Sequence, residues 1–216
     1  MKQTQYMMLA CTALRREITA VMEEEDLHYP VFYLPDELHL KPEKLKAYLC
    51  DFIPRLVGVD YLLLPLGRCG NGTLGVPSGN TTIVLPKSED CISLLLSTER
   101  LSDVIRDKYS LFYTDSWLEY PSSITSDYSR MIEKRGKERA ASLMKSLYKN
   151  YKQFAYLDTG HGDREAGLEK MSALAEAAGV ELSEARAPFG VLRKMLTLHF
   201  DDDFMLIPPG RNVAFD

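Results

Sequence analysis

The sequence predicts an α/β protein with a Rossmann-like, three-layer fold built on a mostly parallel sheet. Three observations predict it. The first half alternates short apolar runs with segments of helical spacing, as strands covered by crossover helices do. The runs Tyr61–Leu66 and Thr81–Leu85 carry consecutive apolar residues without polar alternation, the mark of strands buried on both faces. The 216 residues are 45% hydrophobic and 26% charged, enough for a real core under a solvated surface.

The elements follow in order. Gln5–Leu9 reads as the first strand, and Thr12–Glu24 as a helix with Leu14, Ile18, Val21 and Met22 on one face. Tyr29–Leu34 is β-rich, with Pro30 restricting it to a strand start or sheet edge. Pro42–Ile53 is a helix with proline in its first turn and Leu45, Leu49, Phe52 and Ile53 inward. Strands Tyr61–Leu66 and Thr81–Leu85 precede a helix from Cys91 to Leu96, with Asp90 placed to cap its free N–H groups.

The second half is less regular. Leu111–Tyr113 is a short strand, Tyr120–Ser126 a Pro/Ser loop, and Ile124–Tyr151 holds a long charged amphipathic helix. Phe154–Leu157 is a strand, Arg164–Ala178 a helix ended by Gly179, Val180–Ser183 a strand, Phe189–Leu198 a helix and Phe204–Ile207 the last strand. Residues 1–216 are expected to form one α/β domain, with a sub-division near 120–126. Tyr61–Arg68 and Phe204–Arg211 share an apolar strand, a proline and then Gly-Arg, which points to two related halves.

Charge and composition narrow the function classes. A net charge of −5 argues against nucleic acid or an anionic membrane as partner. The basic stretches Lys134–Lys137 and Lys145–Lys152 carry helical spacing and read as solvated faces. No secretory leader and no apolar run of about 20 residues is visible, so the expected location is the cytoplasm. In that reducing compartment, four cysteines suggest metal binding or catalysis more than disulfides.

Three of those cysteines follow predicted strands: Cys11, Cys69 and Cys91. The carboxyl ends of parallel strands share one edge, where ligands bind, so the three thiols are expected to converge there as metal ligands. The competing reading is burial as small apolar residues. Cys50 lies within a helix and reads as structural. Glu89, Asp90 and His39 are the polar groups expected to support or catalyse at this crevice. His161, between Gly160 and Gly162, reads first as an exposed loop histidine and second as a group entering the crevice.

Gly70–Gly75 contains a literal G-x-G-x-x-G, but Pro77, Ser78, Gly79 and a further strand follow it, where a dinucleotide site needs a helix. No nicotinamide or flavin is therefore expected. Gly67, Gly70, Asn71 and Gly72 read instead as a loop that passes close to Cys69 and cradles what binds there. Asp158-Thr159-Gly160 matches an aspartic-protease triplet in letters only; one copy after one strand reads as a turn and a helix cap.

Several of these pieces together resemble the domain of unknown function 1638 family. They are Ala10-Cys11 before a Leu-Arg-Arg-Glu helix, Leu38-His39 with Pro42-Glu43-Lys44-Leu45, Cys69-Gly70-Asn71-Gly72, and Asp90-Cys91-Ile92-Ser93-Leu94-Leu95-Leu96. Phe112-Tyr113-Thr114 with Trp117-Leu118-Glu119, and the closing Ile207-Pro208-Pro209-Gly210, extend the likeness. The chain departs from the family pattern where Glu89 stands for a histidine and where Asp115-Ser116 stands for Pro-Gly. The resemblance implies an intracellular α/β protein of anaerobes and methanogens, encoded near corrinoid-dependent methyltransferases. All three strand-end cysteines fall within the matching motifs, and Cys50 does not.

The resulting expectation is a thiolate site for zinc or an iron–sulfur cluster on Cys11, Cys69 and Cys91, with one coordination position open. Its partners are then a small molecule or a corrinoid methyltransferase system. Two rivals stand beside it. One is a metal-free enzyme with a single cysteine nucleophile supported by Asp90 and the Gly70 and Gly72 amides. The other is a non-catalytic accessory protein with Tyr113, Trp117 and Tyr120 as a contact patch, although these aromatics read first as core residues.

Overall fold

A computed structural model describes residues 3–38, 41–121 and 123–215. In chain order the strands and α-helices are β1 (Tyr6–Ala10), α1 (Arg15–Glu24), β2 (Val31–Tyr33), α2 (Pro42–Phe52), β3 (Tyr61–Leu63), β4 (Thr82–Pro86), α3 (Cys91–Leu96) and β5 (Ser110–Tyr113). They continue as α4 (Asp115–Leu118), α5 (Ile124–Arg135), α6 (Lys137–Tyr148), β6 (Gln153–Asp158), α7 (Arg164–Ala178), β7 (Glu181–Arg186), α8 (Gly190–Leu196) and β8 (Phe204–Ile207). The fold class is mixed α/β with two mostly parallel sheets, as a Rossmann-like chain requires. The chain divides into two compact units: Met1–Val104 with Pro188–Asp216, and Ile105–Ala187.

The first unit holds a five-stranded sheet in the order β2-β1-β3-β4-β8. The first four strands run parallel and β8 is antiparallel to β4. Its central strands supply Met8, Leu9, Leu62, Leu63, Ile83, Val84 and Leu85, all buried. That continuous burial is why their sequence runs are apolar without alternation. β3 and β8 share this one sheet, so the repeated Pro-then-Gly-Arg pattern does not mark one copy per unit.

The second unit holds a parallel sheet in the order β5-β6-β7. Phe154 and Tyr156 of β6 pack with Met144, Met171 and Leu174 in its core. The single helix expected over Ile124–Tyr151 is two, because Gly136 takes φ 78° and ψ 159° and breaks it. Tyr113 and Tyr120 are buried, and Trp117 is packed against the same core with its ring 6.3 Å from that of Tyr113. The contact patch of the accessory-protein reading is therefore interior, and the core reading of these aromatics holds. These residues are apolar enough that the core claimed them.

Candidate functional site

The site in the first unit grows from the register of its sheet. Met8 of β1 pairs with Leu63 of β3, and Leu63 with Val84 of β4, so three neighbouring parallel strands deliver their carboxyl ends to one edge. Cys11 directly follows β1. Cys69 lies in the turn region after β3, and Cys91 is the first residue of α3. The segments beyond β3 and β4 stay paired: the Arg68 amide donates to the Ser88 carbonyl at 2.8 Å, and the Cys69 amide to the Glu89 carbonyl at 2.8 Å. This sets Cys69 beside Cys91, whose backbone N–H points at the Cys69 sulfur.

The three thiols act on one another electrostatically. Burial is the largest cause that pushes the Cys69 thiol up to about 12, and ionised Cys11 and Asp90 push the same way. The Cys91 amide opposes them by favouring the thiolate. Cys91 is raised well above its ordinary value by burial, then by Cys11, Cys69 and Asp90. Cys11 and Cys91 are 7% and 3% exposed, and all four cysteines are free thiols. Cys69 is partly exposed as a residue, through its loop, while its sulfur also donates inward to the Leu66 carbonyl.

The backbone at Cys69 is unusual. Cys69, Gly70 and Asn71 are consecutive left-handed residues, with φ of 44°, 64° and 68°. For a cysteine this costs about 1 kcal/mol, and such outliers gather at functional positions. The neighbouring glycines are explained by close packing. A Cβ on Gly67 would stand 2.4 Å from Ser88 Oγ and 2.5 Å from the Ser88 carbonyl oxygen, and one on Gly70 would stand 2.8 Å from Pro42 Cγ. The loop is thus clamped between the segment after β4 and the start of α2.

The other expected residues are placed as follows. Asp90 caps α3, its Oδ1 accepting from the Ser93 amide at 3.1 Å and the Ser93 hydroxyl at 3.3 Å. Glu89 is exposed and stands 3.9 Å from Arg68 Nε. Cys50 sits within α2, on the helix where its spacing put it, and is half-buried. His161 belongs to the second unit, on the turn after β6. His39 lies outside the described residues. Asp158 makes the expected turn, accepting from the Gly160 amide at 2.9 Å, but Asp163 caps α7.

Sequence reasoning missed two features. One is Arg68, adjacent to Cys69, whose guanidinium lies 4.7 Å over the Phe215 ring. The other is a buried pair in the second unit, where the Tyr156 hydroxyl donates to Asp115 Oδ2 at 2.8 Å. The carboxylate of Asp115, two residues past the end of β5, was the available signal for the second.

The donor chemistry suits a soft metal, with three sulfurs and a carboxylate brought to one sheet edge. Among the described residues, however, no group of three or more His, Cys, Asp or Glu stands close enough together to hold a metal ion. No helix among them is long and apolar enough to cross a membrane.

A family model described as a protein of unknown function, DUF1638, matches residues 33–196. The chain belongs to this family. The matched span contains Cys69 and Cys91 and begins after Cys11. No curated protein and no solved structure matches the chain.

Proposed function

We propose that this DUF1638 protein binds a thiophilic metal, as zinc or an iron–sulfur cluster, through Cys11, Cys69 and Cys91, and keeps one coordination position for a ligand. The observation that carries the reading is the arrival of three thiols from three adjacent parallel strands at one sheet edge. The bare thiols resist ionisation because burial and their neighbours oppose negative charge. A bound cation removes that opposition and makes thiolate the stable form.

Such a metal supplies Lewis-acid activation of a ligand atom at its open position. This chain's residues hold the sulfurs, exclude water around Cys11 and Cys91, and aim the Cys91 amide at the Cys69 sulfur. We place the substrate in one-carbon or methyl-group chemistry linked to corrinoid methyltransferases, a reading supported by the family resemblance alone.

Zinc and iron measured in protein purified without oxygen test the site. The expected result is near one zinc, or one iron–sulfur cluster, per chain, falling at least tenfold in Cys69→Ser and Cys91→Ser and unchanged in Cys50→Ser. Metal-free wild type with one thiol alkylated far faster than the rest refutes the metal and favours a cysteine nucleophile.

A further inference from the structure

The second unit has a carboxyl sheet edge of its own. Its sheet is parallel throughout, so β5, β6 and β7 end on the same side. β6, α7 and β7 make one β-α-β unit, and in such units ligands bind in the crevice outside the carboxyl ends of the strands. A cleft of about 440 Å³ lies there, lined by Asp158, Thr159 and Gly160 on one side and by Glu184, Ala185 and Arg186 of β7 on the other. That volume suits a small organic ligand.

The chain between β6 and α7 is drawn in tightly. A Cβ on Gly162 would stand 1.6 Å from Asp115 Oδ2, and one on Gly167, in the first turn of α7, would stand 2.4 Å from Tyr156 Cε2. Gly160 turns outward, with φ +77° and nothing within 4 Å of a Cβ. In a nucleotide-binding β-α-β unit the glycines turn the loop, let it approach the ligand and pack the helix on the strand. Gly167 does the packing here, two positions later than the G-x-G-x-x-G spacing counted from Gly160. Glu184 stands about 20 residues beyond these glycines, where such units place a carboxylate for a ribose hydroxyl.

Glu184 is held in place. Its Oε1 and Oε2 accept from Arg164 Nε at 2.5 Å and Nη2 at 2.6 Å. This clamp takes one acceptor site on each oxygen, and a carboxylate has about four sites in all. The same bonds hold the Glu184 carboxyl below its ordinary range, so it is ionised at neutral pH. A phosphate is poorly served. Asp158 Oδ1 accepts from the Gly160 amide at 2.9 Å and Asp163 Oδ1 from the Ala166 amide at 3.1 Å, so the chain's own carboxylates occupy loop donors. The cleft lining also sets two carboxylates, Asp158 and Glu184, against the one guanidinium of Arg186.

We propose that the second unit binds a ribonucleoside lacking a 5′-phosphate in the cleft at the ends of β6 and β7, with Glu184 accepting from the ribose hydroxyls. Arg164 is the positioning residue for Glu184. The proposal is independent of the thiol reading, since every residue it uses belongs to Ile105–Ala187.

Calorimetric titration of the full chain with adenosine, guanosine, cytidine, uridine and S-adenosylhomocysteine tests it. At least one is expected to bind with a Kd below about 1 mM. Its 2′-deoxy analogue and the matching nucleoside 5′-monophosphate should each bind about tenfold more weakly. The ratio of ribose to deoxyribose affinity is expected to fall to within about twofold of unity in Glu184→Ala, to fall partway in Arg164→Gln, and to stay at wild type in Glu181→Ala.

A substitution that merely loosens the unit weakens both sugars alike and leaves the ratio unchanged. Trp117 fluorescence checks that the second unit is folded, and Glu184→Gln replaces Glu184→Ala if the latter is not. The proposal is overturned if none of the five probes binds, if the folded Glu184 variant keeps the wild-type ratio, or if the monophosphate binds as tightly as the nucleoside.

Discussion

Gly67→Ala probes the clamp on the thiol loop. Gly67 has φ +67°, and an alanine Cβ there would meet Ser88 Oγ at 2.4 Å and the Ser88 carbonyl oxygen at 2.5 Å. The serine side chain has little room to turn, since Ser88 is 4% exposed, and its carbonyl is held by the Arg68 amide. The left-handed backbone costs an alanine about 1 kcal/mol. Forcing the two segments apart costs a further ~2 kcal/mol. The natural control is Gly58→Ala, also in the first unit, where φ is +78° and nothing lies within 4 Å of the new Cβ. It carries the backbone cost alone, so the difference between the variants, about 2 kcal/mol, isolates the contact. Urea titrations read by labelling of buried Cys91 measure it. The single tryptophan, Trp117, belongs to the second unit and reports on that unit instead. Equal destabilisation by the two substitutions would show that the Ser88 contact does not clamp the loop.

Two further predictions concern buried groups. Tyr156→Phe removes the donor to the 8%-exposed Asp115 carboxyl and is expected to cost the second unit about 2 kcal/mol in urea, read by Trp117 fluorescence; a cost under about 0.5 kcal/mol refutes the importance of that bond. In protein stripped of metal, the folded-state Cys69 value of about 12 stands above the ordinary 9.0, so the thiol's contribution to stability is complete below pH 9 and is lost as pH rises toward 12. The urea midpoint of wild type should therefore fall between pH 9 and 10.5 more than that of Cys69→Ser, and equal slopes in the two proteins refute the shift.

Much of this architecture is legible in the chain because parallel strands buried on both faces leave uninterrupted apolar runs. Met7–Ala10, Leu62–Leu64 and Ile83–Leu85 are such runs, and each predicted strand overlaps an observed one. The break at Gly136 was less legible, since the helical spacing continues on both sides and only the glycine signals the interruption. The positions of the three cysteines were readable as strand ends. Their adjacency was not, because sheet order depends on crossovers that no local pattern records. The stacking of Arg68 was unreadable for a similar reason: Phe215 is remote in sequence and reaches it through the segment after β8, where the Val213 amide donates to the Val76 carbonyl and the Gly75 amide to the Val213 carbonyl.

The reading of the cysteines as simple core filler meets one physical objection, and it concerns Cys69. Cys50 sits within α2 at ordinary helical geometry, and a small apolar residue could replace it without backbone cost. Cys69 is held at φ 44° between a clamp at Gly67 and a left-handed pair at Gly70 and Asn71. Glycine or asparagine would satisfy that backbone at lower cost, and neither brings a sulfur to the point at which the Cys91 amide is aimed. Strain accepted for a side chain that packing alone does not require argues that the sulfur itself is used.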